Sequence, residues 1–160
     1  MDKEFKMLAK DLEDTDKIAR AAAHAFKQKG GLICLYGDIG SGKTTFVKSM
    51  AKHLGIKEKV TSPSFVILNE YRTDNLILYH FDLYRLEEEG IKTILEELRE
   101  YSEGENSLAV IEWAEFSSGE LPENRLEIRI KYLHDDEREF IFSSFGEKYS
   151  EILEEIKKVS

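Results

Sequence analysis

The sequence of 160 residues contains one cysteine, two prolines and one tryptophan. Because a single cysteine cannot pair within the chain, an intrachain disulfide is excluded, and a reducing compartment is expected for Cys34. No apolar stretch approaches the roughly 18 residues that a membrane-spanning helix needs. The N-terminal segment MDKEFKMLAKDLEDTDK is too charged for a signal peptide. The sequence therefore predicts a cytoplasmic protein without a membrane segment.

Positively charged residues are outnumbered by negatively charged ones. The chain has 23 Lys and Arg residues against 32 Asp and Glu residues, which gives a formal net charge of −9. A protein that binds nucleic acid on its main surface usually has a basic patch of clustered Lys and Arg residues. No such cluster stands out in this sequence. Any contact with RNA is therefore expected to pass through a partner. A hydrophobic content of 41% is typical of a globular protein, and residues 1–160 are expected to form one domain.

Glycine is concentrated in one segment. Residues 37–46 read GDIGSGKTTF and follow the apolar run GLICLY. Gly37, four intervening residues and then Gly42-Lys43-Thr44 match the phosphate-binding pattern G-x-x-x-x-G-K-[ST]. Several glycines in a short segment increase the backbone entropy that is lost on folding. They are needed where the backbone must approach phosphate groups closely, because glycine has no Cβ. The spacing predicts a P-loop, and the alternative is a glycine-rich turn with a surface lysine.

The flanks of this segment have the pattern that a P-loop requires. The apolar run 32–36 is typical of a buried parallel strand, and the residues after the loop recur at helical spacing until Gly55. The loop then lies at a helix N-terminus, where backbone N–H groups and the helix dipole favour an anion. We expect Lys43 to reach the β- and γ-phosphates, Thr44 to offer its hydroxyl to Mg²⁺, and Thr45 to lie near the α-phosphate. The predicted phosphate-binding residues are Gly40, Ser41, Gly42, Lys43, Thr44 and Thr45.

The remaining segments predict a mixed α/β fold. Alternating apolar residues and turn residues indicate an edge strand over 3–8 and two strand pairs, 65–72 with 76–83 and 125–133 with 137–145. Apolar residues at helical spacing indicate a helix over 16–29, which Thr15 or Asp14 caps, a helix over 91–101 and a closing helix from 147. This order predicts a P-loop NTPase-type α/β fold: a mixed sheet with a parallel core and antiparallel additions, flanked by helices.

Two apolar strands end in a carboxylate. Asp82 follows LILYHF and Glu112 follows LAVI, so both are expected at the carboxyl edge of the sheet. There they could hold Mg²⁺ or its water and orient a nucleophile. The predicted metal ligands are Thr44, Asp82 and Glu112, and the predicted catalytic residues are Lys43, Asp82 and Glu112. Alternatively, Asp82 is a turn residue paired with Arg85, and Glu112 is a solvated carboxylate. Which carboxylate binds the ion directly is left open.

Three further features have a weaker signal. Residues 62–65 (SPSF) could form a sensing loop or a polar turn. Trp113 could pack in the core or wall the site. His80 and the other histidines lack metal-ligand spacing, and they are interpreted as structural.

Four motifs in this order, GDIGSGKTTF, SPSFVILNEY, YHFDLYRL and IEWAE, closely resemble the TsaE family, the ATPases of bacterial tRNA threonylcarbamoyladenosine biosynthesis. The resemblance extends from about residue 30 to residue 145. It implies a compact P-loop fold that binds ATP with Mg²⁺ and works with the partners TsaD and TsaB, through which it would meet tRNA indirectly. It also implies that the chain does not transfer the threonylcarbamoyl group, and that its ATP cycle resets or licenses the partner complex.

The resemblance carries over to individual residues. Asp82 and Glu112 match the family's magnesium-site and catalytic carboxylates, residues 62–65 resemble a switch-like loop, and Arg138 resembles an arginine near the nucleotide. Two positions depart from the family. Ser64 stands where threonine is frequent, and Ala114 replaces a proline that often follows Glu-Trp. Neither departure removes a catalytic group.

Three other functions compete with this interpretation. A small-molecule kinase would need a second substrate pocket and usually a lid carrying arginines, and no arginine-rich segment is visible. A GTPase would carry the guanine-reading N-K-x-D signature, which is absent from the sequence. A binding module gated by the nucleotide, in which turnover is incidental, stays open. Because no cis arginine finger is evident, slow ATP hydrolysis by the isolated chain is expected.

Overall fold

The computed structural model of the chain describes residues 3–27, 29–38, 40–58, 60, 68–83, 104, 106–114 and 121–158. These residues form a seven-stranded sheet with three helices. The strands are β1 (Lys3–Ala9), β2 (Gly31–Tyr36), β3 (Leu68–Arg72), β4 (Ile77–Asp82), β5 (Ser107–Glu112), β6 (Arg125–His134) and β7 (Glu137–Phe145). The helices are α1 (Leu12–Phe26), α2 (Lys43–Leu54) and α3 (Glu147–Lys158).

The sheet has the strand order β1-β7-β6-β2-β5-β4-β3. β2 pairs in parallel with β5 and β6, and β4 pairs in parallel with β5. The outer pairs β3–β4, β6–β7 and β1–β7 are antiparallel. The prediction of a parallel core with antiparallel additions is therefore confirmed.

β2 lies at the centre of the sheet because both of its faces are apolar. Ile33 and Leu35 pack into the cluster that includes the buried faces of the helices, and Leu32 and Cys34 pack into a second cluster on the other face. Burial raises the pKa of the Cys34 thiol well above its ordinary value, so this sulfur is neutral at physiological pH. The parallel pairing brings the carboxyl ends of β2, β4 and β5 to one edge of the sheet.

The start of α1 corrects the prediction. The helix begins at Leu12 and its N-cap is Asp11, whose carboxylate accepts a hydrogen bond from the Asp14 backbone N–H at 2.8 Å. The cap predicted from the sequence is Thr15 or Asp14, and the predicted helix is 16–29. Leu12 is half exposed, so the first turn adds no apolar stripe from which its start could be found. The helix ends at Phe26, before the predicted end.

An acid on α1 holds α2 in place. The Asp16 Oδ1 atom accepts hydrogen bonds from Ser49 Oγ at 2.8 Å and Lys52 Nζ at 3.1 Å, and His53 Nε2 lies 3.1 Å away. Burial alone would raise the pKa of Asp16, but these partners outweigh it and lower the pKa to about 2. The helix that carries the glycine-rich loop is thus anchored to its neighbour by charge as well as by apolar packing.

The structure describes several of the other predicted elements. The edge strand, the β6–β7 pair and the closing helix are confirmed, and the described part of the earlier strand pair is β3 with β4. Gly55 ends α2 as predicted, with a left-handed φ of 93°. The predicted helix 91–101, residues 62–65 and Arg85 lie outside the described residues. None of the described helices combines the length and the apolar character that a membrane span requires.

Candidate functional site

The glycine-rich loop connects the end of β2 to the start of α2. Gly37 and Gly42 have φ values of 151° and 106°, which a residue with a Cβ rarely adopts. At Gly37 a Cβ would also lie 2.6 Å from the Ile130 carbonyl oxygen and 2.6 Å from Ser41 Oγ. The backbone therefore turns in a space that admits only glycine at this position.

Gly42 is the N-cap of α2 and offers no side-chain hydrogen bond to the first turn. The N–H groups at the start of a helix have no partner within the helix, and they need a side chain, water or a ligand. An anion at this end would also be stabilised by the helix dipole. The loop geometry thus matches the predicted strand, loop and helix arrangement of a P-loop.

Lys43 is only 5% exposed, which argues against the alternative of a surface lysine. Its Nζ donates hydrogen bonds to the Gly37 carbonyl and, at 3.3 Å, to the Asp38 carbonyl. The same ammonium lies 3.4 Å from the centroid of the Trp113 ring. A cation over an aromatic face is attracted to it. Trp113 therefore forms the side of the site next to the Lys43 ammonium. Trp113 has a left-handed φ of 62°, directly after the end of β5.

Glu112 meets the loop through Thr44. The Thr44 hydroxyl donates a hydrogen bond of 2.8 Å to Glu112 Oε1. Glu112 is 2% exposed, so it is not the solvated strand-end carboxylate that was the alternative interpretation. A predicted metal hydroxyl and a predicted catalytic carboxylate, 68 residues apart in sequence, are therefore in direct contact.

Asp82 lies beside Glu112 on the neighbouring strand. The two residues are paired across β4 and β5, and Asp82 is half-buried. The expectation that both carboxylates share one edge of the sheet is confirmed by this pairing. The alternative partner Arg85 is not among the described residues.

His80 belongs to the site, although it was not among the predicted site residues. It is fully buried, and its Nε2 is hydrogen-bonded to Glu112 Oε2. Successive residues of a strand point to opposite faces, so a residue two positions before Asp82 lies on the same face as Asp82. This spacing is the signal in the sequence that points to His80, and the criterion of metal-ligand spacing does not detect it.

Arg138 reaches the loop from β7. Its Nε donates a hydrogen bond of 2.9 Å to the Ser41 carbonyl, and its Nη1 donates to the carbonyls of Asp135 and Glu137 at 2.9 and 3.1 Å. The guanidinium carbon lies 4.5 Å from the centroid of the Tyr132 ring. The structure thus places Arg138 at the loop, and its role toward a nucleotide stays a prediction.

Two pockets adjoin the loop, and they share Asp38, Gly40 and Ser41. One pocket has a volume of about 320 Å³ and is lined by Asp38, Gly40, Ser41, Gly42, Lys43, Thr44, Thr45, Glu112, Trp113 and Arg138. The other has a volume of about 680 Å³ and is lined by Gly37, Asp38, Gly40, Ser41, Arg129, Ile130, Lys131 and Tyr132. The smaller pocket brings the predicted phosphate-binding residues together with Glu112.

The Glu112 carboxylate contacts the Thr44 hydroxyl, and Asp82 is paired with Glu112 on the neighbouring strand. Oxygen ligands of this kind suit a hard cation. Mg²⁺ usually binds one or two protein oxygens and completes its shell with water and phosphate oxygens. Within the described ranges no group of three or more His, Cys, Asp and Glu side chains is arranged to hold a metal ion. The hydroxyl of Thr44 and the carboxylates of Glu112 and Asp82 are the oxygen groups at this edge of the sheet that would suit a Mg²⁺ held jointly with a phosphate.

The chain is similar to several known proteins over most of its length. The family model described as "Threonylcarbamoyl adenosine biosynthesis protein TsaE" matches residues 9–140. The tRNA threonylcarbamoyladenosine biosynthesis protein TsaE of Bacillus subtilis is 41% identical over 156 residues, which are 98% of this chain and 96% of that protein. The protein of the same name from Treponema pallidum is 36% identical over 84% of this chain and 97% of its own length. The crystal structure of Bacillus subtilis YdiB superposes with a TM-score of 0.80 at 39% identity, covering 99% of this chain and 97% of that one.

Proposed function

The chain belongs to the TsaE family of tRNA threonylcarbamoyladenosine biosynthesis proteins, and on this basis we propose that it is the subunit that binds and hydrolyses ATP in that biosynthesis. Mg²⁺ is the proposed cofactor. The proposed partners are TsaD and TsaB, and the chain acts on their complex without performing the transfer to tRNA itself.

One observation carries the proposal: the glycine-rich loop, the buried lysine and the hydrogen bond from Thr44 to Glu112 converge on one pocket. The backbone N–H groups of residues 40–45 would bind phosphate oxygens at the start of α2. Lys43 would exchange its carbonyl partners for the β- and γ-phosphates. A buried ammonium already held at the loop needs little reorganisation for this exchange, and less entropy is lost on binding.

The carboxylates supply the remaining chemistry. Mg²⁺, when bound by Thr44 and a carboxylate, would neutralise charge on the phosphates and on the leaving oxygen. Glu112 would orient a water for attack on the γ-phosphate and accept its proton, while Asp82 would hold the ion or one of its waters. Because Glu112 is nearly buried, its interactions with charge in the pocket are screened less than they would be at the surface.

The larger pocket would take the nucleoside. It continues from the loop through Asp38 and Ser41 toward Arg129 and Tyr132. Tyr132 is 53% exposed, and the face of its ring that is turned away from Arg138 would give a flat surface on which a base can stack. The presence of this pocket beside the loop favours a nucleotide as the ligand, rather than inorganic phosphate alone. The preference for adenine over other bases is a matter for measurement.

We expect slow turnover by the isolated chain. Arg138 is the arginine that lines the smaller pocket among the described residues, and it donates to the backbone carbonyls of Ser41, Asp135 and Glu137. A guanidinium used in this way braces the loop and has less capacity to stabilise charge on the γ-phosphate. An arginine that completes a site from a partner typically accelerates hydrolysis by about 10³–10⁵-fold. Binding to TsaD and TsaB is therefore expected to raise the rate.

Calorimetry and phosphate release together test the proposal. The purified chain should bind Mg·ATP, and phosphate release should be slow alone and faster with the TsaD–TsaB complex. Reconstituted tRNA modification with a non-hydrolysable ATP analogue then separates hydrolysis from occupancy. Absence of Mg·ATP binding, with and without the partners, would remove the proposal. Equally fast release with and without partners would contradict the partner-dependent part, and ATP-dependent phosphorylation of a small molecule would favour a kinase.

A further inference from the structure

We infer that His80 is a positioning residue that fixes the carboxylate of Glu112 for the ATPase reaction. This inference rests on the proposed function, because it assigns His80 a part in the same site. It concerns a residue that does not line the pockets at the loop and would not touch the nucleotide.

The two oxygens of Glu112 are held by different elements of the fold. Oε1 accepts the hydrogen bond from Thr44 at the start of α2, and Oε2 is bonded to His80 Nε2 on β4. β5, which carries Glu112, lies between β4 and β2 in the sheet. The carboxylate is therefore held on one side by the loop helix and on the other by a neighbouring strand.

The strand register explains how His80 reaches this carboxylate. His80 is paired with Val110, and Asp82 is paired with Glu112. Because alternate residues of a strand face the same side, all four residues lie on one face of the sheet. Glu112 thus has the carboxylate of Asp82 directly opposite it on β4. The imidazole of His80 lies two residues before Asp82 on the same strand.

The burial of His80 is costly for a residue that serves only to fill the core. Its side chain is fully buried, and within the described part of the chain its Nδ1 has no hydrogen-bond partner. A buried polar atom without a partner typically destabilises a protein by a measurable amount, so an apolar side chain would suit this position better if packing were the only requirement. What His80 offers, and an apolar residue cannot, is an N–H directed at Glu112.

The second hydrogen bond matters when the first is released. If Thr44 turns its hydroxyl to a metal ion, Oε1 loses its donor and becomes free to accept from a water. The bond from His80 to Oε2 then keeps the carboxylate from rotating. Catalytic groups need to be held close to one geometry by groups that do not themselves react, and loss of such a support typically lowers activity by about 10–100-fold.

Two substitutions of similar size separate this hydrogen bond from packing. His80→Gln keeps a side-chain N–H donor that can approach Glu112, whereas His80→Met fills similar space without a donor. With the partner complex present, His80→Met should lower kcat by about 10–100-fold while KM for Mg·ATP stays within about threefold. His80→Gln should recover kcat to within about fivefold of the wild-type value.

A control variant accounts for general loss of stability. Ser144→Ala removes a buried hydrogen bond to Ser150, whose hydroxyl lies 3.2 Å away, at a place outside the site. It should lower Tm without changing kcat. Equal values of kcat for His80→Met and His80→Gln, whether both low or both near wild type, would overturn the inference, because the donor would then make no difference.

Nitrogen NMR of the nucleotide-free chain gives a second readout that needs no activity. His80 Nε2 should carry a proton, as a donor to Glu112 must, and Nδ1 should report no hydrogen bond. ATP hydrolysis by a chain whose His80 Nε2 lacks a proton would overturn this inference and leave the proposed function standing. A chain that binds no Mg·ATP would instead remove the proposed function, and with it the catalytic role of His80.

Discussion

The substitution Gly37→Ala is the sharpest test of the loop geometry, because the chain contains two matched controls. Gly37, Gly40 and Gly55 all have a positive φ, of 151°, 81° and 93°. A Cβ at Gly37 would lie 2.6 Å from the Ile130 carbonyl oxygen and from Ser41 Oγ, whereas at Gly40 and Gly55 it would meet nothing within 4 Å. Alanine at 40 or 55 thus adds backbone strain alone, and alanine at 37 adds strain and a collision.

The difference in stability follows from these contacts. A left-handed conformation typically costs a residue with a Cβ about 1–2 kcal/mol, and overpacking costs about 1–3 kcal/mol more. Gly37→Ala should therefore destabilise by about 2–5 kcal/mol, against about 1–2 kcal/mol for Gly40→Ala and Gly55→Ala. For a chain of this size, the midpoints of these ranges correspond to a decrease in Tm of about 10 °C and about 5 °C.

The same substitution should weaken nucleotide binding. The clash forces the loop away from β6 or rotates Ser41, and the carbonyl that now holds Lys43 moves with it. We expect the affinity for Mg·ATP to fall by at least about 100-fold, which is about 2.7 kcal/mol, in Gly37→Ala. Gly55→Ala lies at the far end of α2, so its affinity should stay within about twofold of wild type.

Thermal unfolding and calorimetry of the three variants give the result directly, at a temperature where each is folded. If Gly37→Ala resembles Gly55→Ala in both Tm and affinity, the loop does not pack against β6 and Ser41 as described. If Gly37→Ala loses stability but keeps its affinity, the packing is correct and the loop is not where the nucleotide binds.

Three further predictions address charged residues. Lys43→Ala should weaken Mg·ATP binding by at least about 100-fold in calorimetry, because it removes the ammonium from the loop; unchanged affinity would exclude Lys43 from phosphate binding. Glu112→Gln should bind Mg·ATP within a few-fold of wild type but lose about 10²–10⁴-fold in phosphate release, and full turnover would remove Glu112 from the mechanism. Asp16→Asn should lower the free energy of unfolding by about 1 kcal/mol at neutral pH, a value reduced for the partial exposure of the side chain. Because the pKa of Asp16 is lowered from 3.8 in the unfolded chain to about 2 in the folded one, this difference should persist above about pH 4 and disappear toward pH 2. Denaturant titrations across that range check it, and a constant difference between pH 5 and pH 2 would contradict the assigned hydrogen bonds.

The loop and its carboxylates could be predicted from the sequence because their signals are local. Gly37, Gly42 and Lys43 have a fixed spacing that the backbone's approach to phosphate imposes. Glu112 ends a run of apolar residues, and parallel strands bring such ends to one edge. Both kinds of signal depend only on residues close together in the chain.

Contacts between segments that are distant in the chain could not be predicted from the sequence. Nothing local indicates that Thr44 bonds Glu112 or that β1 pairs with β7 at the edge of the sheet. The spacing of His80 from Asp82 indicates a shared face of the sheet, but it does not indicate the bond from His80 to Glu112. These contacts are set by strand order and register, which depend on the packing of the whole sheet. The start of α1 was misplaced for a different reason: Asp11 and Asp14 are both good caps, and Leu12 does not belong to the buried stripe.

The ring over the lysine has an experimental consequence. Trp113 is the only tryptophan in the sequence, and its centroid lies 3.4 Å from Lys43 Nζ. Indole emission is sensitive to a nearby charge, so light absorbed selectively by this ring reports on one ammonium and its surroundings. The chain therefore contains an intrinsic fluorophore at the place where a triphosphate would draw that ammonium away, and stopped-flow records could follow each arrival and departure without a label.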